Sequence, residues 1–164
     1  HRDLHSFPTR RSSDLADQPE IDLGRLGDFI GFRLRRIQNH LSRNFSVRNA
    51  DWNLRSGLFS SLAIIAANPG ISQNVLSREV GLDKSATVQI VDDLEGRGWA
   101  ERRRSPNDRR FYELVVTEKG QDALSQLFAN LEETERDVMA HLSSAERTLL
   151  LGLLDRIYKS CFRG

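Results

Sequence analysis

The strongest constraint on the fold of this chain is the run from Ser72 to Val116, where two short helical patterns pass directly into two strand patterns. Ser72 is a good N-cap for "SQNVLSREV", and Gly81 allows the left-handed turn that closes this helix. Asp83 caps the next helix, "KSATVQIVDDLEGRG", which turns Thr87, Ile90, Val91 and Leu94 inward and leaves Ser85, Ala86, Val88 and Gln89 outward. Two short helices joined by a glycine turn make a helix-turn-helix. "WAERRR" and "RFYELVV" follow, both of strand character, separated by the turn sequence "SPNDR". This predicts a β-hairpin with arginines on both arms.

The rest of the chain reads as helices. Apolar residues at Ile30, Leu34, Ile37 and Leu41 share one face of a long first helix within Ile21 to Phe45. Asn53 or Ser56 is placed to cap a second helix bearing Leu58, Leu62 and Ile65, which "NPG" at 68–70 ends. Thr117 caps a long helix with Leu124, Leu127, Leu131 and Val138. Ser143 and Glu146 form a capping box ahead of a last helix bearing Leu149, Leu150, Leu153 and Ile157. The expected fold class is mainly α with a small β-hairpin wing.

At 164 residues and 38% hydrophobic content, the chain can bury one good core. Its net charge of +1 excludes a uniformly basic coat, so a charged partner must be met by a local patch. One cysteine, Cys161, makes no intramolecular disulfide and fits a reducing compartment. The longest apolar runs, Leu62 to Ala67 and Leu149 to Leu154, fall far short of the roughly 20 residues of a membrane helix. A cytoplasmic protein with no membrane partner is expected. Residues 1–15, "HRDLHSFPTRRSSDL", lack periodicity and the apolar centre of a signal peptide. From His5 to Leu15 they look like a translated sequencing adapter, so they are taken as a non-native leader, disordered or poorly packed.

The hairpin concentrates charge. Arg102, Arg103, Arg104, Arg109 and Arg110 stand against Asp108 alone, a local charge of about +4 that attracts a phosphate backbone. Arginine also fits a narrow minor groove. The alternative is a solvated wing whose arginines pair with Glu101 and Glu113. On the second helix of the motif, Gln89 can pair with adenine and Val88 and Ala86 can touch a thymine methyl. Lys84 and Ser85 suit phosphate at the positive helix end, and Ser72 opens the preceding helix toward the same partner.

This order of helix, helix, helix-turn-helix, hairpin, helix and helix resembles the MarR family of transcriptional regulators, over roughly Leu26 to Ile157. The most specific match is the wing pattern D-x-R-x-x-x-L-x-L-T, present as Asp108, Arg110, Leu114, Val116 and Thr117 with valine for the second leucine. "NPGISQ" and "LDKSAT" match two further family stretches. The resemblance implies a winged helix-turn-helix flanked by N- and C-terminal dimerisation helices. It divides the chain into the leader at 1–15, an N-terminal dimerisation helix at 16–48, a DNA-binding lobe at 49–117 and C-terminal dimerisation helices at 118–164. It implies that Arg110 enters the minor groove with Asp108 holding its guanidinium. It also implies a homodimeric repressor on a pseudo-palindromic operator of double-stranded DNA, released by a small ligand of aromatic or phenolic kind. Surplus apolar stripes on the flanking helices independently favour self-association. Many family members carry a basic residue where Gln89 stands, so their base preference is not carried over.

A pocket between the dimerisation helices and the DNA-binding lobe is implied by the same resemblance. Its candidate lining is Phe32, Arg36, His40, Trp52, Arg55 and Phe59, aromatic walls with cations. Phe32 and Phe59 suit the core better than a ligand wall and His40 suits the surface better, so Trp52, in the joint between the first two helices, is the favoured candidate. Cys161 reads as a small interface hydrophobe rather than an oxidant sensor. His40 and His141 stand outside any metal-ligand spacing, so no metal and no cofactor are expected. The sequence has no G-x-S-x-G, no H-E-x-x-H and no phosphate-binding glycine loop, so no enzyme is expected. The remaining alternative is a winged helix that binds protein without specific DNA readout.

Overall fold

Local caps decide most of the element boundaries. The computed structural model describes residues 21–106 and 110–163. The leader expected at 1–15, and Asp108 and Arg109 of the wing, lie outside these residues. The elements run α1 Ile30–Arg48, α2 Leu58–Ala67, α3 Gln73–Val80, α4 Lys84–Gly96, β1 Ala100–Arg104, β2 Tyr112–Val116, α5 Glu118–Met139 and α6 Ser144–Phe162. The architecture is the expected one, mainly α with a two-stranded antiparallel hairpin.

By contacts the chain divides into two units, residues 1–38 and 39–164. In the first, helix does not begin at Ile21 as expected. A 3-10 turn occupies Gly24–Asp28, Gly24 N donates to Asp22 Oδ1 at 2.8 Å, and Phe29 is extended before α1 starts at Ile30. A positive φ of 50° at Gly24 and an extended Phe29 are both incompatible with a continuous helix.

In the second unit α2 does not take its cap from Asn53 or Ser56. Asn53 instead ends a short 3-10 turn, Ala50–Trp52, in the left-handed region. Gly57 is the N-cap of α2, with φ 85° and no side-chain cap bond. The backbone here runs so close to the next elements that a Cβ would meet Leu82 Cδ1 at 2.9 Å and Ile90 Cδ1 at 3.1 Å. Both the positive φ and the close approach select glycine.

The other caps form as read. Ser72, Asp83 and Thr117 accept from the amides of Val75, Ala86 and Gly120, and Gly81 turns the chain at φ 66°. Ser143 and Glu146 close the capping box of α6, and the hydrogen bonds from the Ser143 hydroxyl and backbone hold the Glu146 carboxyl below its ordinary pKa. The hairpin register pairs Ala100 with Val116, Arg102 with Leu114 and Arg104 with Tyr112. One added bridge joins Ile71 to Leu114, with Leu114 N donating to Ile71 O at 3.0 Å, and ties the start of α3 to the hairpin.

The core lies where α2, α3, α4, the hairpin and α5 meet. Leu58, Leu62, Leu76, Leu94, Leu114 and Leu127 are all buried, each contributing about 1.5–3 kcal/mol by transfer from water. Asn49 is buried too, and its needs are met: its Nδ2 donates to Phe45 O and its Oδ1 accepts from Asn130 Nδ2, both at 2.8 Å. By contrast, no residue of α1 or α6 is buried.

Candidate nucleic-acid interface

Helix α4 is anchored on one side and open on the other. Asp83 Oδ1 accepts from Ala86 N at 2.7 Å, and Thr87 Oγ1 donates back to Asp83 O at 2.8 Å, fixing its first turn. Thr87, Ile90, Val91 and Leu94 are buried. Lys84, Ser85, Val88 and Gln89 are exposed and Ala86 is half-buried, so the expected readout residues form the outward face. Asp83 satisfies the Ala86 amide, and the other amides at the start of the helix, with the Lys84 ammonium, favour an anion near Lys84 and Ser85. Ser72 uses its hydroxyl oxygen to accept from Val75 N at 3.3 Å, which leaves its proton available to a further acceptor.

The wing arginines divide by position. Arg102 stands opposite Leu114, which is buried, so its side chain lies on the hairpin face that meets α4. It donates to Asp92 Oδ1 at 2.8 Å, to Gln73 Oε1 at 3.2 Å and to Glu95 Oε2, while its backbone N–H donates to Glu95 Oε1 at 2.8 Å. The structure thus directs Arg102, expected at the DNA, onto two carboxylates of α4, because its strand face is the inward one. Arg103 pairs with Glu101, as the solvated-wing alternative has it. Arg104 and Arg110 are exposed, their guanidiniums 4.9 Å from the Tyr112 ring and 6.0 Å from the Phe111 ring.

The last turns of α4 carry a second charged cluster. Arg97 Nε donates to Asp93 Oδ1 at 2.8 Å, and its Nη atoms donate to Trp52 O at 2.8 Å and Asn53 O at 3.1 Å. The same guanidinium lies 5.0 Å from the Trp99 ring, which in turn packs at 5.3 Å on Trp52. Arg55 adds a contact at 3.8 Å to Asp93 and a hydrogen bond at 3.2 Å to Gln89 Oε1. The sequence shows the acidic pair Asp92 and Asp93 and the i, i+4 spacing of Asp93 with Arg97, but not Arg55 or the Trp52 and Asn53 carbonyls, which come from another segment.

The six residues read as a pocket lining lie in different settings. Phe32 and Arg36 belong to the first unit. His40 is exposed and hydrogen-bonded through its ring to Asn44 at 3.1 Å. Trp52 is half-buried in the connector held by Arg97, Arg55 faces α4, and Phe59 stacks between Phe45 and Phe128 at 5.2 Å and 5.1 Å. A cleft of about 270 Å³ opens elsewhere, between Arg43, Asn44, Val47 and Arg48 of α1 and Thr134 and Asp137 of α5. None of the six lines it. The i, i+4 spacing of Arg43 with Val47 and of Asn44 with Arg48 is the sequence signal for that face. Cys161 is exposed. No helix among the described residues is long and apolar enough to cross a membrane.

Comparison with known proteins gives a consistent result. Residues 59–110 match the model of the MarR family. A putative transcriptional regulatory protein for the hcr operon of Thauera aromatica is 38% identical over 149 residues, covering 90% of this chain and 88% of its own. The transcriptional repressor MprA of Escherichia coli K12 is 31% identical over 134 residues, 74% of each chain. Among solved structures, the transcriptional repressor CouR bound to a 23-mer DNA duplex is 32% identical with a TM-score of 0.74, covering 85% of this chain and 99% of that one.

Proposed function

The chain belongs to the MarR family of transcriptional regulators, and from that premise we propose that it is a homodimeric repressor that binds a pseudo-palindromic operator and is released by a small ligand. The observation that carries the reading is one continuous surface: the outward face of α4 from Lys84 to Gln89, beside an arginine hairpin fastened to the same helix by Arg102. Base contacts come from α4 in the major groove, and the wing tip, Arg104 and Arg110, supplies phosphate or minor-groove charge. CouR, 32% identical, is a repressor solved on a duplex of 23 base pairs. That length accommodates two half-sites one helical turn apart.

Release by a ligand needs a part that differs between two states. The connector at Trp52 and Asn53 suits this role, because Arg97 ties its carbonyls to Asp93 of α4. A small aromatic anion at Trp52 and Arg55 displaces this tie and with it the helix.

The test is selection of bound sequences from a random duplex library at two salt concentrations, with the natural chain and with Arg110→Ala. A two-fold symmetric site is expected, with affinity that falls steeply in salt and a salt slope smaller by about 1 in the variant. Weak binding without enrichment, indifferent to Arg110, would replace this reading with that of a protein-binding winged helix.

A further inference from the structure

We propose that Arg55 sets the base preference of the recognition helix at Gln89, converting a side chain suited to adenine into a donor-only unit suited to guanine. The inference rests on the operator-binding reading above. A glutamine that reads adenine uses both ends of its amide, the oxygen accepting from N6 and the nitrogen donating to N7. Here Arg55 Nη1 donates to Gln89 Oε1 at 3.2 Å. A guanidinium has five donors and no acceptor, so only the amide oxygen can face it. The orientation of the Gln89 amide is therefore fixed by its partner. What remains beside the groove is the Nε2 pair of N–H groups together with the unused guanidinium N–H groups. Guanine is the base whose major-groove edge offers two adjacent acceptors, O6 and N7.

Arg55 reaches α4 from the connector ahead of α2 and is held there by an α4 carboxylate. Its Nε lies 3.8 Å from Asp93, which also accepts from Arg97, and Arg97 is bound to the Trp52 and Asn53 carbonyls. The donor unit exists only when the connector ahead of α2 is docked on α4, 34 residues away in the chain. Arg55 is thus a positioning residue for Gln89 as well as a donor in its own right. Its side chain is 52% exposed, and Asp93 keeps Arg97 when it is removed, so its substitution leaves the core untouched.

The experiment compares sequences selected by the full natural chain, Arg55→Ala, Arg55→Met and the double variant Arg55→Ala/Gln89→Ala. The natural chain is expected to enrich guanine at one position of each half-site. Both single Arg55 variants are expected to move that position toward adenine by about tenfold relative to guanine, within the range of one paired base contact. The double variant is expected to lose the adenine preference, and all other positions are expected to stay as they were. Adenine at that position in the natural chain, or the same base with and without Arg55, overturns this inference while leaving operator binding intact. Failure of the natural chain to enrich any symmetric site overturns both.

Discussion

Gly120 sits in the first turn of α5 against the backbone of Trp99, at the seam between helix and hairpin. A Cβ there would collide with the Trp99 carbonyl and lie 2.7 Å from Val116 Cγ1. The same carbonyl accepts from Thr117 N at 3.0 Å, so it cannot withdraw without breaking the link that starts the helix. Two effects oppose each other in Gly120→Ala: alanine gains up to about 1 kcal/mol of helix propensity, and overpacking against backbone costs about 1–3 kcal/mol. The clash is with main chain rather than with a flexible side-chain end, so overpacking wins. Gly120→Ala should lower the midpoint of thermal unfolding by roughly 2–4 °C for each kcal/mol lost. Gly96→Ala is the control: nothing lies within 4 Å of its Cβ, and its melting point should hold or rise. An unchanged midpoint in Gly120→Ala would mean that α5 can shift off the hairpin. Sequence marked Thr117 as the cap but not Gly120, because the glycine is required by an atom 21 positions back, at Trp99.

The hairpin shows why some arginines meet solvent and others meet protein. Along β1 the side chains alternate, and Arg102 falls on the face of Ala100 and Leu114, both buried. Its charge is compensated by Asp92 and Glu95. Arg104 falls on the same face two residues further out, beside Tyr112 and beyond the core. Two substitutions separate these roles. Arg102→Ala leaves two carboxylates of α4 without their shared partner and should lower stability by about 1.5–3 kcal/mol, the range for charged hydrogen bonds, while the salt slope of DNA binding stays near its natural value. Arg104→Ala should leave stability near its natural value and reduce that slope by about 1. Denaturant titration and binding at several salt concentrations measure both, and equal slopes lost at both positions would remove the distinction. The elements themselves were legible wherever the determinant is local: the caps at Ser72, Asp83, Thr117 and Ser143, and the strand character of the two hairpin arms. Alternation in the arms also contained the fate of Arg102, since Leu114 is its cross-strand partner. The start of α2 at Gly57, the Ile71 bridge and the Arg97 links to Trp52 and Asn53 depend on contacts across the chain, and no local pattern encodes them.

At the scale of the whole molecule, the remaining question is what covers the apolar surface of the outer helices. On α6, Leu149, Leu151, Leu153, Ile157 and Phe162 are all exposed, and on α1 so are Ile30, Leu34 and Ile37. Neither helix buries a residue within one chain, yet α6 is capped at its start by a complete box and persists for 19 residues. A helix so built gains little by itself, since isolated helices of this length are marginal in water. A second copy is the partner consistent with a two-fold operator, because it covers the same surfaces on both chains at once. Leu153→Asp/Ile157→Asp places two carboxylates on one stripe of α6 without touching the core around Leu58 and Leu94. Sedimentation should find the natural chain dimeric and this variant monomeric, each with the helix-turn-helix still folded. Linked half-site binding then disappears, so affinity for the full operator should fall by about 10²–10⁴-fold, while affinity for a single half-site stays the same. A variant that remains dimeric would place the interface on surfaces other than this stripe. A monomeric natural chain that binds the full operator no better than one half-site would remove the dimer from the account and leave each lobe to act alone.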